Sequence, residues 1–261
     1  MNDLELAIAA ARAGGDIVRE GFDRGVTAQY KRRFDPVTEI DHASEAAILS
    51  VVSAHRPDDA ILAEESGGEI PHGRTWIVDP LDGTVNFVHG IPQISVSVGL
   101  WDGDTPLAGV VYDPLRDECF SAETGKGAEL NNQSIGVSST DHLDGCVVAT
   151  GFPYDHGEFA DEYAAVVGAV LASVNGIRRF GSAALDLAWV AAGRYEAYWE
   201  LSLQPWDQAG GIVVVREAGG RVTDFGGIDS VSTTPLVLAS NTHIHDGLRS
   251  IIEPLVPDRL R

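Results

Sequence analysis

The feature that most constrains the fold is a run of strictly alternating residues, followed by two further strand-like segments. Residues 94–100 read Ile-Ser-Val-Ser-Val-Gly-Leu, and segments 107–112 and 118–122 continue the β pattern with Asp113-Pro114 as a turn. Alternation with a period of two sends successive side chains to opposite faces of a strand. The middle of the first half is therefore predicted to be an antiparallel sheet with helices beside it.

The segments on either side of this sheet predict helices before it and alternating strands and helices after it. Apolar residues recur at helical spacing over residues 3–22, and Asp41 is predicted to cap a second helix that reaches about His55. The polar stretch 138–144 predicts a boundary between an α+β subdomain, residues 1–140, which carries most of the site, and an α/β subdomain, residues 141–261. This order favours a second α/β layer packed on the first.

Charge and cysteine usage argue against several classes of function. The chain has 39 acidic and 18 basic residues, a net charge of −21, and only two lysines, Lys31 and Lys126. Such a surface repels polyanions, so nucleic acid and an anionic membrane are not expected partners. Acidic, lysine-poor chains are typical of halophilic proteins, which stay soluble where salt screens self-repulsion. Two distant cysteines and the lack of a long apolar run predict a cytoplasmic protein without a disulfide framework or a membrane span.

Several acidic residues stand where one predicted element ends and the next begins. Glu64 follows the predicted strand 60–63, Asp79 ends the strand 76–78, and Asp207 opens a predicted helix. Residues at strand ends and helix starts point into crevices. Carboxylates that converge there cannot all stay ionised at neutral pH without cations, and Mg²⁺ with its preference for oxygen ligands is the natural counter-charge.

The hexad Asp-Pro-Leu-Asp-Gly-Thr, residues 79–84, suggests what such cations would do. Asp79 and Asp82 bracket a tight turn, the Leu81 carbonyl adds an oxygen ligand, and the Gly83-Thr84 amides suit a phosphate oxygen. Metals together with amide donors indicate a metal-assisted phosphoester hydrolase. An ordinary Asx-turn remains an alternative. A haloacid-dehalogenase-type phosphatase is disfavoured, because its two aspartates are two residues apart and these are three apart.

Segments 76–87 and 206–220 resemble the two signatures of the inositol monophosphatase family. Residues 35–41, 64–66 and 181–188 match further family motifs in the same order, so the resemblance spans nearly the whole chain. It implies a layered αβαβα sandwich of the inositol monophosphatase and fructose-1,6-bisphosphatase type, with the site between two subdomains.

The same resemblance implies a role for each motif residue and a site that holds two or three Mg²⁺ ions. The implied metal ligands are Glu64, Asp79, the Leu81 carbonyl, Asp82 and Asp207. The implied catalytic residues are Glu64 together with Asp41 and Thr84, a pair that orients and deprotonates the attacking water so that no phospho-enzyme forms. The implied substrate-binding residues are Leu81, Asp82, Gly83, Thr84, Gly181, Ser182, Ala183 and Glu200.

Some residues near these motifs keep two interpretations. Ser182 is either a helix N-cap or a substrate contact, and Asp186 is interpreted as structural. Arg178-Arg179 could reach a second phosphate on the substrate. Lys31 lies near a position where the family has a lysine, but it is not assigned to the site.

The motifs thus predict a Mg²⁺-dependent phosphomonoesterase for a small polyol or sugar phosphate, with inositol 1-phosphate as the first candidate, and the resemblance implies that lithium inhibits it. A homodimer is expected from the resemblance. The alternatives are fructose-1,6-bisphosphatase, a phosphatase for 3′-phosphoadenosine 5′-phosphate or histidinol phosphate, and a regulatory binding protein on the same fold.

Overall fold

Five alternating layers of helices and sheets make up the part of the chain that the computed structural model describes, residues 1–70, 73–153, 157 and 160–256. The α-helices are α1 (Asp3–Phe22), α2 (Glu39–His55), α3 (Thr84–Val88), α4 (Ala160–Leu171), α5 (Ala183–Ala191), α6 (Pro205–Glu217) and α7 (His245–Ile252). The strands are β1 (Gln29–Arg32), β2 (Asp35–Val37), β3 (Ala60–Ala63), β4 (Gly67–Gly68), β5 (Arg74–Asp82), β6 (Ser95–Asp102), β7 (Thr105–Asp113), β8 (Glu118–Glu123), β9 (Ala128–Leu130), β10 (Gln133–Ile135), β11 (Val147–Thr150), β12 (Gly176–Arg178), β13 (Ala197–Glu200), β14 (Arg221–Thr223) and β15 (Val237–Ser240).

The larger sheet has eight strands in the order β10-β9-β8-β7-β6-β5-β3-β4. Its neighbours are antiparallel except for β3 and β5, which run parallel. The alternating segment forms β6 at the centre of this sheet, so the predicted antiparallel sheet is confirmed. Both faces of β6 are covered, and its small residues Ser95 and Ser97 are as buried as the neighbouring Val96 and Val98.

Helices α1 and α2 cover one face of the larger sheet, and α5 and α6 cover the other. Helix α6 lies very close to the strands: a Cβ atom on Gly210 would stand 2.8 Å from both Ser97 Oγ and the Val110 carbonyl oxygen. Small residues on β6 and α6 therefore permit a contact that larger side chains would block.

The smaller sheet, in the order β12-β11-β13-β15-β14, packs on the far side of α5 and α6. Helices α4 and α7 cover its outer face with a third apolar cluster. The layers therefore run α, β, α, β, α, and the expected αβαβα sandwich is confirmed. The two-stranded β1–β2 hairpin stands beside these layers. None of the described helices is long and apolar enough to cross a membrane.

One local expectation was wrong, and one stays a prediction. Asp41 does not cap α2. The N-cap is Thr38, and Asp41 is the third helical residue, whose carboxylate closes a capping box onto the Thr38 backbone N–H. The division into subdomains near residue 140 stays a prediction, and α5 and α6 pack against both sheets.

Candidate active site

The hexad forms the C-terminal end of β5, an inner strand of the larger sheet, and the turn from it into α3. Asp79 and Asp82 are both buried, and the pairing of β5 with β6 is irregular between them. Gly83 has a φ of +91°, and a Cβ there would stand 2.9 Å from the Gln93 carbonyl oxygen, so the turn requires glycine. The Ser44 hydroxyl donates to the Pro80 carbonyl at 2.7 Å and fixes the turn from α2.

A cavity of about 570 Å³ opens at this turn and brings most of the predicted site residues together. The predicted residues that line it are Glu64, Asp79, Leu81, Asp82, Gly83, Thr84, Gly181, Ala183, Glu200 and Asp207. Asp41 and Ser182 are fully buried and lie behind this surface. The cavity thus gathers residues of both sheets and of α6 around one space.

The carboxylates around the cavity are each engaged with the protein. Asp79 Oδ1 accepts from the Leu81 backbone N–H at 3.0 Å, and Asp207 Oδ2 accepts from the Gln204 N–H at 2.6 Å in the capping box of α6. As they stand, no three Asp, Glu, His or Cys side chains in the described ranges are arranged to hold a metal ion. The carboxylates share a cavity but do not converge on one point.

Their mutual repulsion is nevertheless strong. Burial raises the pKa of Asp79 well above its ordinary value, and the Glu64, Asp82 and Asp207 carboxylates raise it further. Burial also raises the pKa of Asp207 and, to about 7, that of Glu64. So many carboxylates in one cavity call for added positive charge, and an all-oxygen set of this kind suits Mg²⁺.

Lys31 of β1 supplies part of that charge, and sequence reasoning left it unassigned. Its Nζ atom lies 2.8 Å from Glu64 Oε1 and 2.6 Å from Glu65 Oε1. Burial lowers the pKa of Lys31, but the Glu64 and Glu65 carboxylates outweigh that effect and raise it. Its place in the densest basic segment, residues 31–33, was the available signal.

Glu45 of α2 is a second residue that sequence reasoning missed. Its carboxylate accepts from the backbone N–H groups of Glu65 at 2.8 Å and Ser66 at 2.9 Å. It is buried, and it holds the turn that follows β3. The position of Glu64 therefore depends on α2 as well as on β3.

Asp41 and Thr84 form a buried hydrogen-bonded pair. Thr84 Oγ1 lies 3.0 Å from both Asp41 Oδ1 and the Leu81 carbonyl oxygen. Asp41 Oδ2 accepts from the Thr38 hydroxyl at 2.6 Å and from the Thr38 N–H at 2.8 Å. Burial raises the pKa of Asp41, which makes it a stronger base.

Asp82 links the larger sheet to α5. Its Oδ2 accepts from the Ser182 hydroxyl at 2.5 Å and from the Ala184 N–H at 2.9 Å, and its Oδ1 accepts from the Ala183 N–H at 3.2 Å. Ser182 occupies the N-cap position of α5 without making a side-chain cap bond of its own. The carboxylate of Asp82 therefore does the capping.

Glu200 ends β13, a strand of the smaller sheet, and lines the same cavity. Its carboxylate accepts from the Tyr198 hydroxyl, and a Cβ atom on Gly151 would collide with it. Burial raises the pKa of Glu200 to about 7, although the Tyr198 hydrogen bond and the nearby Arg179 oppose this shift.

Of the two adjacent arginines, only Arg179 is among the residues that line the cavity. The Arg178 guanidinium donates to the Ile177 carbonyl instead. Asp186 is buried and is not a lining residue. Burial raises its pKa, and Glu200 and Asp82 raise it further.

This fold is that of a known class of proteins: the chain belongs to the inositol monophosphatase family, whose model matches residues 2–256. It is 44% identical over 248 residues to the inositol-1-monophosphatase of Synechocystis sp., covering 94% of this chain and 86% of that protein. It is 39% identical over 263 residues to the Nus factor SuhB of Escherichia coli, covering 99% and 98% of the two chains. The solved inositol monophosphatase of Anabaena (Nostoc) sp. superposes with a TM-score of 0.88 at 39% identity, covering 98% of this chain and 97% of that one. The resemblance drawn from the motifs is confirmed.

Proposed function

We propose that the protein is a Mg²⁺-dependent phosphomonoesterase for a small polyol or sugar phosphate, with inositol 1-phosphate as its first candidate substrate. The observation that carries this proposal is the Thr84–Asp41 pair, set at the wall of a cavity that Glu64, Asp79, Asp82 and Asp207 also line or border. A hydroxyl hydrogen-bonded to a carboxylate base, beside a cluster of carboxylates that can bind metal ions, is the arrangement that metal-assisted hydrolysis needs. Membership of a family that includes an inositol-1-monophosphatase supports the substrate class.

The donor atoms that line the cavity suit two or three Mg²⁺ ions in their chemistry, although the side chains as they stand do not converge on one point. Glu64, Asp79, the Leu81 carbonyl, Asp82 and Asp207 would hold them, because these are hard oxygen donors whose charges repel one another in the absence of cations. When bound, Mg²⁺ would lower the pKa of the attacking water and stabilise the leaving oxygen.

The chain's own residues handle the proton and position the substrate. Thr84 Oγ1 takes a proton from the attacking water as it passes its own proton to Asp41 Oδ1, 3.0 Å away. A new bond then forms between the water oxygen and phosphorus while the ester P–O bond breaks. The leaving alkoxide takes a proton from a second water, and the hydroxide that remains accepts the proton held by Asp41, so one water is consumed for each alcohol and phosphate released. Attack is direct, so no phospho-enzyme forms.

The two walls of the cavity divide the substrate between them. The backbone amides of Gly83 and Thr84 would hold the phosphate, and Gly181 and Ala183 would border it. Glu200, which lines the same cavity, would accept hydrogen bonds from hydroxyl groups of the polyol. Ser182 acts behind this surface, through Asp82.

A bisphosphate is the second candidate substrate, and Arg179 favours it. This guanidinium lines the same cavity as the hexad and suits a second phosphate. An Arg179→Gln variant that loses activity on fructose 1,6-bisphosphate but keeps it on inositol 1-phosphate would support this candidate.

Phosphate release with MgCl₂ tests the proposal against the regulatory alternative, which relatives named Nus factor keep open. Wild type should hydrolyse inositol 1-phosphate, and EDTA and lithium should suppress the reaction. Asp82→Asn should lose most of the rate, and circular dichroism should show that it stays folded. Equal low rates for both proteins would refute the proposal that this protein is a phosphatase.

We also propose a cytoplasmic homodimer that does not bind nucleic acid. The net charge of −21 supports the last point, since polyanions are repelled. Light scattering coupled to size-exclusion chromatography tests the homodimer, and a gel-shift assay with RNA tests whether the protein binds nucleic acid.

A further inference from the structure

Lys31 connects the β1–β2 hairpin to the acidic wall of the cavity. Its ammonium bridges the carboxylates of Glu64 and Glu65 at 2.8 and 2.6 Å. All four residues of β1 are exposed, and β1 pairs with β2 in a sheet of two strands. A positive charge on a peripheral hairpin is thereby held at the edge of the proposed cation site.

The two glutamates that Lys31 bridges differ in their surroundings. Glu64 lines the cavity, and its charge acts on Asp79 and Asp207. Glu65 is not among the described residues that line the cavity, and its backbone N–H is fixed by Glu45. The Glu65 side chain is only 4% exposed, against 16% for Glu64. Glu65 can therefore retain Lys31 while Glu64 turns to a different cation.

We propose that Lys31 is a resident counter-cation of the site. It neutralises Glu64 when the cavity holds no Mg²⁺, and it is left on Glu65 when Mg²⁺ takes Glu64. This inference rests on the proposed function, since it requires Glu64 to be a Mg²⁺ ligand. A lysine suits the exchange, because its ammonium is a compact charge on a flexible stem, whereas an arginine fork holds a carboxylate through two fixed bonds.

The proposal has a consequence of definite sign. An ammonium that competes for Glu64 weakens Mg²⁺ binding, whereas one that only holds Glu64 in place would strengthen it. Without Lys31, the cavity would keep all its carboxylates and lose a charge that opposes the incoming cation.

Titration calorimetry with MgCl₂ alone distinguishes a Lys31 that competes with Mg²⁺ for Glu64 from a Lys31 that only holds Glu64 in place. Lys31→Met should bind Mg²⁺ roughly tenfold more tightly than wild type, a change of about 1.4 kcal/mol. Lys31→Arg, which keeps the charge, should stay near wild type or bind more weakly. Lys126→Met is the matched control, since Lys126 is 66% exposed and pairs only with Glu123 among the ion pairs seen. Equal or weaker binding by Lys31→Met would overturn the proposal.

Glu65→Gln tests the exchange from the other side. Removing the retaining partner leaves Glu64 as the remaining carboxylate for Lys31, so Mg²⁺ should bind several-fold more weakly. In the Lys31→Met background, the same change should have a much smaller effect, because the two residues act through one contact. Equal effects in the two backgrounds would contradict the exchange.

Chemical labelling gives a readout that is independent of activity. The chain has two lysines, so acetylation of each can be followed by peptide mass spectrometry. Mg²⁺ should speed acetylation of Lys31 and leave Lys126 unchanged, because an ammonium held by one carboxylate instead of two is more accessible to the reagent. An unchanged Lys31 rate at saturating MgCl₂ would refute the exchange. If wild type releases phosphate with Mg²⁺ and these tests fail, only this inference falls; if wild type binds no Mg²⁺, the proposed function falls with it.

Discussion

The hydroxyl of Thr84 lies 3.0 Å from the carboxylate of Asp41, although the two residues belong to different elements. Asp41 stands in the first turn of α2 and Thr84 begins α3. The capping box of α2 positions the carboxylate, and the strand-to-helix turn before α3 positions the hydroxyl. The two local structures thus bring these groups within hydrogen-bond distance. The pair places a buried carboxylate behind a hydroxyl whose residue lines the cavity, which is the basis of the proposed proton path.

Removing the Thr84 hydroxyl should therefore reduce turnover far more than substrate binding. Thr84→Val keeps the shape and removes the proton path, and kcat should fall by about 10²–10⁴-fold with KM nearly unchanged. Thr84→Ser should retain most of the rate. Steady-state kinetics on inositol 1-phosphate decide the point; a Thr84→Val enzyme within threefold of wild type would exclude the proton path.

Mg²⁺ should stabilise the folded protein, because it relieves the repulsion among Asp79, Glu64 and Asp207. At a hundred times its Kd, a ligand of the native state adds about 2.7 kcal/mol, or about 5 °C in Tm for a chain of this length. Asp207→Asn should raise Tm in EDTA and lose most of the response to MgCl₂. Thermal scans in EDTA and in MgCl₂ measure both, and a variant with an undiminished MgCl₂ response would argue against Asp207 as a ligand.

Gly151 should be essential for recognising the polyol. A Cβ at this position would meet the Glu200 carboxylate, so Gly151→Ala should displace that side chain. We expect KM for inositol 1-phosphate to rise at least tenfold, with a smaller change for p-nitrophenyl phosphate, which has no polyol hydroxyls. Gly168→Ala is the control, because a Cβ on Gly168 would meet open space. Equal losses on both substrates would point to general disruption instead.

His245 should make stability depend on pH. Burial, assisted by Arg221, lowers its pKa from 6.5 to about 4. The unfolded chain therefore takes up the proton first, so this contribution is present above pH 6.5 and is lost as the pH falls toward 4. Across this pH window, the free energy of unfolding of the wild type should fall by on the order of 1 kcal/mol more than that of His245→Gln. Urea unfolding of both proteins measures the difference, and parallel pH profiles would rule it out.

Salt should raise stability if the acidic surface is an adaptation to high salt. At 1 M ionic strength, charges are screened beyond about 3 Å, so the self-repulsion behind a net charge of −21 largely disappears. Tm should rise between 0.1 and 2 M KCl and should respond much less to sucrose. A fold and activity indifferent to the removal of molar KCl would refute the halophilic interpretation.

The layered fold was predictable because its signals are local and periodic. Alternation over residues 94–100 placed β6 in an antiparallel sheet, and helical spacing over residues 3–22 gave the full extent of α1. The sequence did not reveal that both faces of β6 are covered. Neither serine faces solvent: α6 packs directly onto Ser97, and the Ser95 hydroxyl donates to the Asp82 carboxylate at 3.1 Å.

The candidate site was predictable as a set of motifs but not as a network. Asp82 bonds to Ser182 and the start of α5, and Lys31 bonds to Glu64, across long separations in the chain. No periodicity encodes such contacts. Asp41 was expected at a helix cap and is found as the third residue of the first turn, because Thr38 occupies the capping position.

The position of α6 between the two sheets also affects when the site can form. Asp41, Glu64, Asp79 and Asp82 leave the ribosome early, but Asp207 follows long afterwards, on a helix that needs both sheets as walls. Because the N-terminal part of a chain emerges from the ribosome and begins to fold first, the carboxylates of the first half form only part of the proposed site until the second half has been synthesised. Under the proposed function, cation binding would then be the last event of maturation, because a chain cut short before α6 would lack the proposed ligand Asp207.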